Sequence, residues 1–188
     1  HACFAGANLR GACFANAELV GVDLTDASCA GADFSGIVTR PRIPEELKTQ
    51  RIEIGQTRFK NADLTGANFG GAELRDADLQ GVNLGGADLQ GADLRGARYN
   101  ESTVWPDGFD YKTCGAVGPG ADLRVADLRD ADLRGADLQR AGLQFANFRG
   151  AKLRGADLRG AELRDVDLRD LELRGANLRD ADLRGANL

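Results

Sequence analysis

The chain is organised by a spacing of five. Read upstream from its last residue it runs ANL, RDADL, RGANL, RDLEL, RDVDL, RGAEL and RGADL, so a large residue returns at every fifth position with a small one two places before it. We call the large residue the centre of a unit. Centres fall at Phe4, Leu9, Phe14, Leu19, Leu24, Cys29 and Phe34, at each fifth residue from Phe59 to Tyr99, and again from Leu123 to Leu188. These blocks hold 7, 9 and 14 units. The small position is Ala in most of them, with Val22, Thr57, Val82, Val166 and Leu171 as exceptions.

Such spacing excludes an amphipathic helix, because five residues turn the chain by about 500°, or about 140° net, and scatter the centres around the axis. A continuous strand fails as well, since an odd spacing sends successive centres to opposite faces. Within one unit, however, the small and large residues are two apart with Asp, Glu or Asn between them, which is strand-like alternation. The next two residues, typically Arg or Gln and then Gly, Asp or Asn, supply a corner, because the second of them tolerates a positive φ. Turning the same way at every corner, the chain coils into a solenoid with two positions of each unit inward and three toward water. Ala, Gly, Leu and Asp make up 99 of the 188 residues, a composition suited to so narrow a coil.

Units such as ADLRG at 92–96 and 131–135 match the pattern A(D/N)LXX, and on them the chain resembles the pentapeptide repeat family. The resemblance implies an all-β fold, a right-handed quadrilateral parallel β-helix with four units per coil, in which residues 20 apart stack. Adding imperfect units centred on Thr39, Ile54 and Val104 gives about eight coils and a length on the order of 40 Å. The expected organisation is a single solenoid over 1–188, with repeat blocks 1–39, 52–105 and 121–188 and loop excursions at 40–51 and 106–120.

The two breaks differ in phase. Phe34 and Phe59 are 25 apart, so Ile37, Thr39, Ile52 and Ile54 keep inward positions and only RPRIPEELKTQR leaves the coil, with one helical turn at EELK. Tyr99 and Leu123 are 24 apart, no multiple of five, so PDGFDYKTCGAVGPG is a true loop. The preceding YNESTVW resembles a segment found at repeat boundaries in cyanobacterial members of the family. Trp105, Phe109 and Tyr111 cluster here, and Val125 and Phe145 occupy outward corner positions 20 apart. These five residues form the candidate partner-binding loop; the other reading is that the aromatics dock over the coil beside the Val125 and Phe145 spot.

Chemistry is otherwise sparse. The only His is His1, no nucleophile has a base partner, and no phosphate-cradling loop follows a long strand, so the expectation is a non-enzyme without catalytic residues or cofactor. Cys3 and Cys13 are ten apart and fall on opposite faces, Cys29 is a centre, and no CxxC occurs, so neither a metal site nor a disulfide is expected. Columns of like charge such as Arg129, Arg149 and Arg169 lie beside columns of opposite sign, Asp127, Asn147 and Asp167, and read as a lattice of surface ion pairs.

The expected role is a scaffold or protein-interaction module for an unknown protein partner. The alternative, from the resemblance to quinolone-resistance members of the family, is a DNA mimic that binds a topoisomerase (gyrase). Mimicry requires a strongly anionic surface, yet 24 Lys and Arg stand against 29 Asp and Glu, a net charge of −5, and residues 121–188 balance at 13 each. Direct nucleic-acid binding is not expected, nor a membrane helix, since no run of 18 apolar residues occurs. Uncapped terminal coils point to an end-to-end homodimer. Unpaired thiols lean toward the cytoplasm, while the family also occurs in periplasm and thylakoid lumen, so localisation stays open. The inward assignment itself is testable: Leu138→Asp, which buries an unpaired charge at a centre, should unfold the coils around it, read as a loss of soluble protein or a large fall in melting temperature.

Overall fold

In the computed structural model, which describes residues 3–19, 22–35, 37 and 57–188, the middle residue of each unit is a one-residue strand paired in parallel with the middle residue four units on. Asp122 pairs with Gly142, Asp127 with Asn147, Asp132 with Lys152 and Asp137 with Asp157. Four units complete one lap, and the coil has four faces.

Five backbone N–H groups per unit need acceptors, and the unit centred on Leu133 shows where they go. The N–H of Ala131 closes a turn onto the Leu128 carbonyl (3.2 Å), and that of Leu133 bonds the Lys152 carbonyl of the next coil (2.9 Å). Lys152, the middle residue above, returns its N–H to the Ala131 carbonyl (2.9 Å). The second corner residue, Gly135, donates to Arg154 (3.0 Å). The first, Arg134, donates its N–H to the Asp132 side chain (3.3 Å). Gly135 takes φ +63°, and with the Ala136 N–H on the Leu133 carbonyl (3.1 Å) the corner is a type II turn.

The inward positions form the core. Among the described residues, centres from Leu24 to Leu168 are buried, as are most of the small residues beside them. Thr57, buried in place of Ala, donates its hydroxyl to the Leu19 carbonyl. Burial pushes the Cys29 thiol up to about 11.

The chain has two compact units, His1–Ala97 with Ser102–Phe109, and Arg98–Glu101 with Asp110–Leu188. In the first, Phe14, Phe34 and Phe69 stack face to face at 5.0 Å per step, with Phe59 edge-on to Phe34 and Phe69. Asp23, Ser28 and Asp33 pair with Arg58, Asp63 and Asn68, each 35 residues on. The step is still a multiple of five, so inward residues stay inward. Ile37 is fully buried; the expectations for Thr39, Ile52, Ile54 and the 40–51 excursion lie outside the described residues.

The second break corrects two expectations. Val104 is no centre: it pairs with Asn83, 21 residues back, and stands half-exposed in the middle position. The longer corner after Tyr99 slips the phase by one, and Thr103 takes up the slack by donating its hydroxyl to the Leu79 carbonyl (2.9 Å). The loop is also shorter than 106–120. In the second unit Ala116 and Val117 are buried and Val117 pairs with Arg98, so the coil resumes there. Gly118 is obligatory, because a Cβ would stand 2.5 Å from the Tyr99 ring.

Charge is neutralised mainly within units, not chiefly between columns as the sequence suggests. Arg129 folds back on Asp127 through paired bonds (Nε–Oδ1 2.7 Å, Nη2–Oδ2 2.6 Å), and Arg95, Arg124, Arg134, Arg159, Arg169 and Arg184 fork in the same way onto the Asp two residues before them. The Arg169 side chain and backbone N–H hold Asp167 down to about 2. A carboxyl depressed below its ordinary 3.8 adds stability above that value and loses it as the pH falls toward the folded one. The melting temperature should therefore be flat above about pH 5 and drop below about pH 4, and Arg129→Gln with Arg169→Gln should flatten that drop.

Candidate interaction site

The stretch from Leu138 to Ala156, in the second unit, departs from the repeat at two outward positions and in its charge. Gly142 is the first, the one glycine found at a middle position among the described units. The space a side chain would take at Gly142 is covered by its neighbours: a Cβ there would stand 3.5 Å from Gln144 Oε1 and 3.6 Å from Arg124 Cγ. These two residues line a shallow hollow of about 630 Å³ together with Thr113, Asp122, Val125 and Phe145. Arg124 is forked onto Asp122 (Nε–Oδ1 2.7 Å), and Gln144 donates its amide to Glu162, leaving its Oε1 shielded from solvent with no donor.

Phe145 is the second departure, with Val125 directly below it in the corner column. The Val125 N–H bonds the carbonyl of Gln144 (2.9 Å), which sets the two corners one coil apart. Both backbones are left-handed, φ +59° at Val125 and +60° at Phe145, where a β-branched or bulky side chain is strained. Most other such corners carry Gly, Asp or Asn. Strain of this kind is ordinarily offset by burial, yet Val125 is 74% and Phe145 61% exposed. The third departure, the charge of this coil, is taken up below.

Of the five residues singled out from the sequence, Trp105 and Phe109 lie in the first unit and Tyr111, Val125 and Phe145 in the second. Trp105 and Phe109 stack on each other at 5.5 Å in the first unit. Tyr111, in the second, packs edge-on to Tyr99 at 5.6 Å, with the Lys112 ammonium 6.0 Å from its ring. Tyr99 is buried, donates its hydroxyl to the Pro119 carbonyl (2.9 Å), and has its phenol pushed up by that burial. The structure brings together Val125 and Phe145, and adds Thr113, Asp122, Arg124 and Gln144 from the hollow. The signal that could have found the hollow is Val125 with Phe145, two apolar corners 20 apart that line it.

The four-faced coil with its A(D/N)LXX units has a family-wide counterpart. The model of pentapeptide repeats matches residues 2–38, 57–96, 119–155 and 151–188, most of the chain. The chain belongs to the pentapeptide repeat family. Its fold is the right-handed quadrilateral parallel β-helix of pentapeptide repeat proteins. Among solved structures it is similar to HetL, a pentapeptide repeat protein involved in heterocyst differentiation regulation from the cyanobacterium Nostoc sp. strain PCC 7120, with 30% identity over all of this chain and 87% of that one and a TM-score of 0.38. It is also similar to full-length QnrB1, a plasmid-mediated fluoroquinolone resistance protein (20% identity, 98% of this chain, 85% of that one, TM-score 0.25). A third is alr5209, a pentapeptide repeat protein from Nostoc (27% identity, 61% and 78% covered, TM-score 0.24). No curated protein matches the chain.

Pentapeptide repeat corners prefer residues at ease in a left-handed backbone. Val125→Gly and Phe145→Gly should therefore leave the melting temperature unchanged or raise it, by an amount on the order of 1 kcal/mol per site in stability. A clear fall in calorimetry would mean that the two side chains pack on the protein itself.

Proposed function

We propose that this pentapeptide repeat protein is a non-enzymatic interaction module that holds a protein partner at the corner formed by Val125 and Phe145. The observation that carries the reading is the combination of strain and exposure at those two residues. A bulky residue held in an unfavourable backbone and left in water gives nothing back to the fold, whereas an exposed aromatic anchor beside a hollow is what a partner surface uses. The regular coil supplies rigidity: each unit is tied to its neighbours by backbone bonds, so the corner is pre-organised and little entropy is lost on binding. Thr113, Gln144 and the Arg124–Asp122 fork add polar groups at the rim.

The test is a capture from lysate of the source organism with wild-type protein and the Val125→Gly, Phe145→Gly double variant side by side, read by mass spectrometry. A protein retained by the wild type and lost with the variant is the expected result. Equal recovery by both, or none by either, would sink the reading. Recovery of a DNA topoisomerase would turn it toward DNA mimicry, for which an uninterrupted anionic surface is needed.

A further inference from the structure

Between Asp137 and Asp157 the chain carries no carboxylate, and over the same stretch it has four cations, Arg140, Arg149, Lys152 and Arg154. One lap is four units of five, so this stretch is one residue short of the whole coil that holds Gly142 and Phe145. Counted as full laps, residues 117–136 below hold three arginines and four acids, residues 137–156 four cations and Asp137, and residues 157–176 above four arginines and six acids, so this coil stands at +3 between neighbours at −1 and −2. Among the described residues none of the four cations makes an ion pair, whereas Arg124, Arg129, Arg134, Arg159 and Arg169 around them are forked onto aspartates. Acids also face the band: Asp165 stands at the corner above Phe145, and Asp137 and Asp157 bound the stretch, the latter forked by Arg159. Asp132 is forked by Arg134 and also feels Lys152, Asp127 and Asp167 are forked, Glu162 accepts from Gln144, and Asp130 and Glu172 border the band at Gly150 and Lys152.

We infer that this coil is a cationic band that takes an acidic segment of a protein partner, with an apolar side chain of that segment seated on Phe145. The inference rests on the corner reading above and adds the partner's chemistry to it. Arg140 and Arg149 occupy the corners on either side of the Phe145 corner, so an extended chain laid along the coil meets positive charge before and after its apolar anchor. The band is one coil high, and neighbouring coils pair at about 4.8 Å, the width of a single extended chain. A nucleic-acid backbone is far wider and would overlie the coils on both sides, where the net charge is negative.

The experiment uses fluorescence anisotropy with labelled probes: a Glu-rich peptide with one central Leu, its Gln-for-Glu counterpart, and a single-stranded DNA oligonucleotide of matched length. The protein forms are the full chain, the Arg140→Gln, Arg149→Gln, Lys152→Gln, Arg154→Gln variant, the milder Arg149→Gln, Arg154→Gln pair, and the Val125→Gly, Phe145→Gly variant, each matched to wild type by circular dichroism. The expected result is that wild type binds the acidic peptide about tenfold or more tightly than the Gln peptide, and that the four-site variant loses that advantage and the pair part of it. Salt should weaken the acidic complex steeply. Equal binding of the Gln peptide, lost with Val125→Gly and Phe145→Gly, would overturn the charge inference and leave the corner reading standing. Acidic binding that ignores Phe145 would uphold the cationic band and remove the corner. Tighter binding of the oligonucleotide, or no binding of any probe, would overturn the inference.

Discussion

The hydrogen bond from the first corner N–H to the side chain of the middle residue holds this architecture together. Backbone partners account for four of the five N–H groups in a unit; the fifth points outward at the corner and would be left to water. Asp or Asn two residues earlier accepts it, as Asp122 does from Arg124, Asn147 from Arg149 and Asp157 from Arg159. Only a short acceptor side chain reaches back that far, which is why Asx dominates the middle position. Once that bond is made, the next residue must take a positive φ to turn the chain, and Gly, Asp or Asn follows at most corners.

A coil closed in this way has a narrow interior, and four small and four large residues fill each lap. The first unit varies the theme with a Phe14–Phe34–Phe69 stack, where one ring per coil lies flat on the next. Outside, the same aspartate that accepts the corner N–H also receives the arginine fork, so one carboxylate both shapes the turn and neutralises its charge. Exposed pairs of this kind contribute little individually. Their larger effect is that stacked like charges are compensated within many units, which leaves the stretch without carboxylates from Leu138 to Ala156 electrostatically conspicuous.

Much of this was legible in the sequence because a period of five, with alternation inside it, admits few solutions. The inward centres follow from counting; the four-unit lap, and with it the opposed faces of Cys3 and Cys13 and the adjacency of Val125 and Phe145, follows from the resemblance to pentapeptide repeats. Counting failed where the period did. Val104 was displaced by a single residue in the corner after Tyr99, a slip that turns an inward side chain out, and Val117 re-entered the coil against Arg98 inside a stretch that reads as loop. Within the aromatic stretch, Trp105 on Phe109 joins near neighbours in sequence, whereas Tyr111 on Tyr99 is a contact that only the fold makes.

The sequence by itself determined the coil, because every unit repeats the same local bonds and each position's direction depends only on its place among five. It also determined the charge of each coil, which is a count along the chain. Only the tertiary structure decided that Val125 and Phe145 stay exposed in a strained backbone beside a shallow hollow, and that among the described residues the four cations of that coil make no ion pair. Those facts depend on what lies one coil above and below, and side chains 20 residues away meet only when the chain has folded.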